Sequence, residues 1–162
     1  RYSMKWVSKN VTVAEEIDYI KNYLALINLR FDYEIYLSLN IPERIYEQEI
    51  PKMSLQPIIE NAIYHSIEGM AEDTNIYIKG VIRGHYCTIE ITDAGRGMSE
   101  EEVERLKRKI EGVIETSGSS GNGIGLKNVQ DRIKISFGDE YGISISSRLG
   151  CYTKVIVKIP FV

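Results

Sequence analysis

Two glycine-bearing stretches, separated by a predicted helix, carry most of the information about this chain. They read Asp93-Ala94-Gly95-Arg96-Gly97-Met98 and Gly121-Asn122-Gly123-Ile124-Gly125-Leu126. Upstream lies an amphipathic segment with an asparagine among aliphatic side chains, Leu55-Gln56-Pro57-Ile58-Ile59-Glu60-Asn61-Ala62. Each pattern alone is weak evidence, so the interpretation depends on their order and spacing.

Asp93 ends a predicted strand, residues 86–93, in which the apolar side chains alternate. Asp93 has the phase of Ile91, so its carboxylate is expected on the core side, where it needs hydrogen-bond donors. Gly95 and Gly97 then allow a tight turn and a close approach of backbone to a ligand. A buried acceptor beside an open turn suits the exocyclic amino group of adenine. The alternative is an aspartate that caps the loop or the next helix.

Thr153 begins a later strand and shares the phase of the inward-facing Val155 and Val157. Its hydroxyl is therefore expected on the core side, within reach of the same carboxylate or of a base. The alternative is a threonine that is present only because threonine favours strands.

Asn61 and His65 lie four residues apart on one edge of the apolar stripe of the upstream helix, and Glu60 and Tyr64 lie on the opposite edge. A neutral amide oxygen suits Mg²⁺, which keeps water and phosphate oxygens as its other ligands. The alternative for Asn61 is a surface hydrogen bond.

The stretch from Gly121 to Leu126 predicts a phosphate site, because its glycines expose backbone amides ahead of a helix N-terminus. The serine- and glycine-rich residues 111–123 predict a mobile loop that folds over the phosphates as a lid. The pattern is neither a Walker A loop nor a Rossmann fingerprint. The alternative is a flexible surface loop followed by a helix.

The order of the predicted elements indicates an α/β two-layer sandwich, with a mixed, mainly antiparallel sheet and helices on one face. Thr12 with Glu15, and Ser99 with Glu102, are capping boxes, and Ser54 is the expected cap of a third helix. The predicted elements are a helix over 12–30, a strand over 33–39, a polar connection over 42–51, a helix from 54 to 69, strands over 75–82 and 86–93, a helix to about 110, a helix from about 124 to 138, and strands over 142–147 and 153–159.

Composition fits one globular domain of 162 residues, with 43% hydrophobic and 27% charged residues. A net charge of −3 provides no basic field for nucleic acid. Cys87 and Cys151 are expected to be packed, reduced thiols. The opening Arg1-Tyr2-Ser3-Met4 does not resemble a natural start, so we expect a piece of a longer protein.

Together the three motifs resemble the N, G1 and G2 boxes of the Bergerat-type ATP-binding fold shared by histidine kinases, gyrase-type ATPases, Hsp90 and MutL. The segment Leu55 to Ile63 is similar to the LQPLVENAI pattern of YesM/LytS-type sensor histidine kinases. Residues 17–24, with Arg30-Phe31 after them, resemble the linker of that subfamily, and residues 123–129 resemble its G2 box.

This resemblance implies a role for each motif, with ATP and Mg²⁺ as cofactors. Asp93 would bind adenine and Asn61 would bind Mg²⁺, while Glu60 is the candidate for polarising the attacking imidazole. Thr153 would support the adenine end, His65 would line the pocket, and Gly95 and Gly97 would shape it beside Met98. The phosphate-binding residues would be Gly121, Asn122, Gly123, Ile124, Gly125 and Leu126.

The resemblance also implies a larger system. Residues 1–31 would be a linker helix following an acceptor-histidine segment outside this chain, and residues 32–162 the catalytic domain. The parent would be a homodimeric, plasma-membrane sensor kinase with this part in the cytoplasm, and it would pass phosphate to a response regulator without binding nucleic acid.

The chain departs from the family pattern at Ala94, where the G1 motif usually has asparagine, and at Tyr64, where lysine is usual. A nucleotide-binding regulatory module without transfer activity therefore remains an alternative. A second alternative is an anti-sigma-type serine kinase on the same fold, against which the linker motif speaks. A plain protein-interaction domain is the third.

Overall fold

The computed structural model describes residues 9–114 and 121–162, and of residues 121–124 it describes the backbone alone. Within these ranges the helices and strands follow in the order β1 (Asn10–Thr12), α1 (Val13–Asn28), β2 (Ile35–Asn40), α2 (Glu43–Tyr46), β3 (Glu49–Pro51), α3 (Gln56–Ile67), β4 (Thr74–Arg83), β5 (Tyr86–Asp93), α4 (Glu100–Glu111), α5 (Gly121–Phe137), β6 (Gly142–Arg148) and β7 (Tyr152–Pro160). No helix in the described ranges combines the length and the apolarity needed to cross a bilayer.

The main sheet has five strands in the order β2-β4-β5-β7-β6. Strand β2 runs parallel to β4, and every other neighbouring pair is antiparallel. Strands β1 and β3 form a separate antiparallel pair. The predicted mixed, mainly antiparallel sheet is confirmed.

The core lies between one face of this sheet and the helices. Alternate side chains of β4, β5 and β7 point into it, whereas Tyr77 and Lys79, which have the opposite phase, are exposed. The fully or nearly fully buried side chains of the sheet include Ile35, Ile76, Ile78, Cys87, Ile89, Ile91, Val157 and Ile159. Helices and sheet therefore form the two layers that the sequence predicts.

Helix α1 begins at the predicted capping box. The Glu15 amide donates to Thr12 Oγ1 at 3.1 Å, and the Thr12 amide donates to Glu15 Oε1 at 2.8 Å. Four apolar side chains of this helix, Val13, Ile17, Ile20 and Leu24, belong to the same core as the sheet.

The region from Pro42 to Pro51 is more ordered than predicted. Instead of a polar connection it contains α2 and β3, and Ile45 and Ile50 are buried. Strand β1 was not predicted either. These elements have three or four residues each, too few to show a hydrophobic period.

Ser54 does not cap α3, so that prediction is wrong. The helix is preceded by Leu55 without a side-chain cap, and the buried Ser54 hydroxyl donates to the Pro51 carbonyl at 2.6 Å. The Glu16 carboxylate of α1 accepts instead from the amides of Met53 and Leu55, each at 2.6 Å. The acceptor at this helix start comes from far away in sequence, where a local motif cannot show it.

Helix α4 begins at the predicted Ser99–Glu102 capping box, which is confirmed. Helix α5 already begins at Gly121, so residues 121–123 are helical rather than part of a loop. At the other end of the predicted lid, Glu111 is the last residue of α4 and Gly112 caps it, and residues 115–120 lie outside the described residues.

The two cysteines differ from the prediction that both are packed. Cys87 is buried in β5, whereas Cys151 is exposed in the turn before β7. Burial raises the pKa of the Cys87 thiol to about 11. Only Cys87 therefore behaves as a packed thiol.

Candidate nucleotide-binding site

A cleft of about 360 Å³ lies between α3, α4, α5 and the ends of β5 and β7. Its lining is mostly apolar, with a few polar groups, as in pockets for small ligands. Six predicted site residues meet in it. Its lining residues are Ile58, Asn61, Ala62, His65, Ile91, Asp93, Met98, Leu106, Leu126, Ile145, Thr153 and Val155.

Asp93 is placed by the alternation of β5, whose last residue it is, and only 3% of it is exposed. The Gly95 amide donates to Asp93 Oδ1 at 2.9 Å. His65 Nδ1 lies 3.3 Å from Asp93 Oδ2. The carboxylate is thus a buried acceptor with protein donors on both oxygens.

Thr153 stands opposite Asp93 in the ladder between β5 and β7 and is also buried. Its hydroxyl lies 3.0 Å from Ser147 Oγ. The Ser147 hydroxyl donates to the Tyr152 carbonyl at 2.6 Å and accepts from the Met98 amide at 2.8 Å. Because Ser147 has a single hydrogen to give, Thr153 donates to Ser147 and keeps acceptor capacity.

Ser147 was missed by the sequence analysis. It has the same phase in β6 as Ile143 and Ile145, so the alternation that placed Thr153 was also present here. It joins the turn after β5 to the start of β7 and thereby fixes the wall of the cleft.

The glycines after Asp93 are required by close contacts. A Cβ on Gly95 would lie 2.9 Å from Asp93 Oδ1 and 3.0 Å from the His65 carbonyl oxygen. Gly97 has a φ of +71°, and a Cβ there would collide with the carbonyl oxygen of Arg148. Gly95 therefore lets the turn close around the Asp93 carboxylate, and Gly97 lets it pack against the β6–β7 hairpin.

A second cleft, of about 600 Å³, shares His65, Met98 and Thr153 with the first and leads outward. It is more polar, and its other lining residues are Tyr64, Glu68, Arg96, Gly97 and Glu102. Tyr64 is exposed at this opening. The mostly apolar first cleft thus continues into a larger and more polar one.

Asn61 and His65 both line the first cleft, as their shared helix edge predicts. Glu60 precedes Asn61 on α3, is half-buried, and does not line either cleft. Partial burial raises the pKa of the Glu60 carboxyl above its usual value. Glu60 is therefore a better proton acceptor than an ordinary surface glutamate.

The predicted phosphate stretch is the start of α5, and its last residue, Leu126, borders the same cleft. Gly121, Asn122, Gly123 and Ile124 form the first turn of the helix, and the side chains of residues 121–124 lie outside what the structure describes. Leu126 is 3% exposed and lines the cleft with Asp93. Among the described residues, a Cβ on Gly125 would come within 4 Å of Pro57 alone, at 3.9 Å.

The donor set for a metal is sparse. In the described ranges no group of three or more histidine, cysteine, aspartate or glutamate side chains converges on one point. Asn61 would offer one neutral oxygen beside the cleft. This suits Mg²⁺ that is held mainly by phosphate and water oxygens.

The fold and the cleft together indicate the family of proteins to which this chain belongs. Residues 51–162 match the family of histidine kinase-, DNA gyrase B- and HSP90-like ATPases, and the chain belongs to that family. Membership implies that it binds ATP, so the predicted family and its nucleotide are confirmed.

Sensor histidine kinases are among the similar proteins. The chain is 32% identical over 151 residues to the sensor histidine kinase YesM of Bacillus subtilis, covering 93% of this chain and 24% of YesM. It is 29% identical to the sensor histidine kinase BtsS of Escherichia coli K12, covering 99% of this chain and 26% of BtsS. It is 32% identical to the sensor protein kinase HptS of Staphylococcus aureus USA300, covering 99% of this chain and 30% of HptS.

The chain therefore spans 24–30% of the length of these relatives. What the family match shows for this chain is an ATP-binding domain, as the motifs predict.

Proposed function

We propose that this domain binds Mg-ATP in the cleft and positions the γ-phosphate for transfer to a histidine outside the chain. The observation that carries this proposal is that Asp93 and Leu126 line the same cleft. Asp93 is the last residue of β5 and Leu126 ends the glycine stretch, so these two parts of the predicted nucleotide site border one cleft.

At the base end, Asp93 accepts a hydrogen bond from the adenine amino group. Ile91, Met98 and Val155 supply apolar walls for the ring. Thr153 supports this end through its hydroxyl. Such a buried acceptor selects a ligand that brings a donor, because an unpaired buried carboxylate is costly.

At the phosphate end, Asn61 holds Mg²⁺, and the backbone at the start of α5 faces the phosphates. The positive end of the α5 dipole favours their charge. When bound, Mg²⁺ neutralises part of the phosphate charge. The side chains and amides of this chain hold the triphosphate in line for attack.

Transfer then requires a nucleophile and a proton acceptor. A nitrogen of the incoming imidazole bonds to the γ-phosphorus while the bond from phosphorus to the ADP oxygen breaks. Glu60 lies next to Asn61 on α3, outside the lining of the cleft, and we assign it as the acceptor of the imidazole proton, a role that its raised pKa favours.

The activity of the whole protein is part of the same proposal. The relatives carry the name sensor kinase, which supports a parent protein that senses a signal and phosphorylates its own acceptor histidine. We place residues 1–31 as the linker from that acceptor segment and residues 32–162 as the catalytic domain. We place the domain in the cytoplasm as part of a homodimeric, plasma-membrane kinase that passes phosphate to a response regulator.

A regulatory module without transfer is the second candidate function. It is favoured by Tyr64, which is 58% exposed at the mouth of the cleft where a lysine would contact phosphate. Calorimetric titration with Mg-ATP tests the binding step that both functions share.

Adding the acceptor-histidine segment of the parent protein and labelled ATP separates the two functions. Label on the acceptor histidine supports the kinase. Tight binding without transfer supports the module, and absence of binding contradicts both.

A further inference from the structure

The carboxylate of Asp93 is held from two independent elements. The Gly95 amide, in the turn after β5, donates to Oδ1 at 2.9 Å, and His65 of α3 places Nδ1 3.3 Å from Oδ2. A carboxylate oxygen only accepts, so Nδ1 carries the hydrogen of this contact. The rotation of the carboxylate is thus set jointly by the turn and by the helix.

His65 also packs closely against this turn. A Cβ on Gly95 would lie 3.2 Å from the His65 Cβ and 3.0 Å from its carbonyl oxygen. The His65 side chain is 22% exposed and lines both clefts. It therefore stands between the buried acceptor and the mouth through which a nucleotide enters.

We infer that His65 is a positioning residue for base selection, acting through Asp93. Each carboxylate oxygen has two lone-pair directions, so the Nδ1 hydrogen bond uses one at Oδ2 and leaves the other for the ligand. The terminal torsion of aspartate is otherwise broad. This inference rests on the proposed function, because it requires that adenine contacts Asp93.

The consequence is selectivity for the group at position 6 of the purine. A fixed carboxylate raises the affinity for a purine with an amino donor there and lowers it for one with a carbonyl oxygen, since two acceptors would then face each other. A carboxylate that is free to rotate gains less affinity from the amino group. It leaves the apolar contacts of the ring and the phosphate contacts in place.

Two substitutions isolate the Nδ1 donor. His65→Asn places an amide N–H at nearly the position of Nδ1, whereas His65→Leu places a methyl group there. The asparagine and leucine side chains have similar size, so the two variants should change the packing around position 65 to a similar extent. His85→Leu is the control, because His85 is exposed in the turn at the opposite end of β5.

Binding is measured by calorimetry with two ligands, Mg-ATP and the Mg complex of purine riboside triphosphate, which lacks the amino group. We expect His65→Leu to weaken ATP binding about ten-fold, as for loss of a charge-assisted hydrogen bond. His65→Asn and His85→Leu should stay near wild type. The affinity for purine riboside triphosphate should change little in all four proteins.

Equal weakening of both ligands by His65→Leu would overturn the inference, since His65 would then contact shared parts of the nucleotide. Equal loss in the Asn and Leu variants would also overturn it. If His65→Leu does not fold by circular dichroism, His65→Gln replaces it, because its amide nitrogen lies one bond further out. Failure of the wild type to prefer ATP over the analogue would refute adenine contact with Asp93, and hence the proposed site itself.

Discussion

At the scale of single residues, Asp93 shows how the alternation of a strand can place a carboxylate beside a cleft. The alternation of β5 turns its side chain inward, Gly95 leaves room around it, and the cleft opens beside it. An acceptor in this position is costly unless donors reach it. Two of them come from the protein, and the proposed third comes from the ligand.

Asp93→Asn is expected to weaken Mg-ATP binding by at least about ten-fold, which is the loss expected for a charge-assisted hydrogen bond. The reason is that the amide group of asparagine can turn its NH₂ donor towards the adenine amino group, which is also a donor. Calorimetric titration measures the affinity, and circular dichroism checks the fold. Asp73→Asn is the matched control, since Asp73 is an exposed aspartate that accepts from the Glu34 amide at 2.9 Å outside the cleft. Wild-type affinity in Asp93→Asn would remove Asp93 from the base site.

Glu60→Gln tests the proposed proton acceptor through pH. Because burial raises the folded-state pKa of Glu60 above 4.5, its ionised form should be lost at a higher pH than for an ordinary glutamate. The wild-type rate of transfer to an acceptor histidine should therefore fall as the pH drops through this raised pKa. The Gln variant should be slow, and its pH profile should keep only the fall caused by protonation of the acceptor imidazole, without the further fall due to Glu60.

The raised pKa of Glu60 also predicts how the free energy of unfolding changes with pH. A carboxyl that binds its proton more tightly when folded stabilises the protein below its unfolded pKa, and this contribution disappears as the pH rises through the folded value. The unfolding free energy of wild type relative to Glu60→Gln should thus be higher at pH 4 than at pH 7. The opposite slope would contradict the burial of Glu60.

At the scale of helices and strands, the sequence predicted the elements that depend on local patterns but not those that depend on contacts between residues far apart in the chain. Periodic segments showed α1, α3, α4 and the main strands to within a few residues, because 3.6- and 2-residue periods are local properties. The short α2, β1 and β3 have no period, and their order comes from packing of Ile45 and Ile50 in the core. The start of α3 depends on Glu16, whose partner Leu55 is 39 residues away.

The site was predictable for the same reason. Strand phase placed Asp93 and Thr153, and the helix period placed Asn61 and His65 on one edge. The contact between His65 and Asp93 joins two elements, so no spacing within either element contained it. Ser147 carried a phase signal, but nothing in the sequence showed that its hydroxyl meets Met98 and Thr153.

Glu16→Gln should destabilise the fold by about 1–3 kcal/mol, because the carboxamide has a single acceptor oxygen for the two amides that the Glu16 carboxylate holds. Glu16 is 2% exposed and accepts from Met53 and Leu55. Urea unfolding followed by circular dichroism measures the loss. Asp18→Asn, an exposed change on the same helix, should stay within about 0.5 kcal/mol of wild type. Equal stability of the two variants would show that Glu16 does not anchor α3.

At the scale of the whole molecule, α1 shares one hydrophobic core with the five-stranded sheet and the other helices. It supplies four core side chains and, through Glu16, an acceptor for the start of the helix that carries Asn61 and His65. Strand β1, just before it, pairs with β3. Any movement passed along the proposed linker would therefore reach the nucleotide cleft through α1 and α3 in direct contact.

A chain that begins at residue 32 should fail to fold stably. It would lose Val13, Ile17, Ile20 and Leu24 from the core, at about 1.5–3 kcal/mol for each side chain. The sum, about 6–12 kcal/mol, is comparable to the total stability of an ordinary domain. Thermal unfolding by circular dichroism tests this, with a chain that begins at Lys9 as the control, which keeps β1 and α1 and should melt cooperatively. Cooperative melting of the shorter chain would instead make α1 a separable connector, and signals would then have to reach the cleft by docking rather than through a shared core.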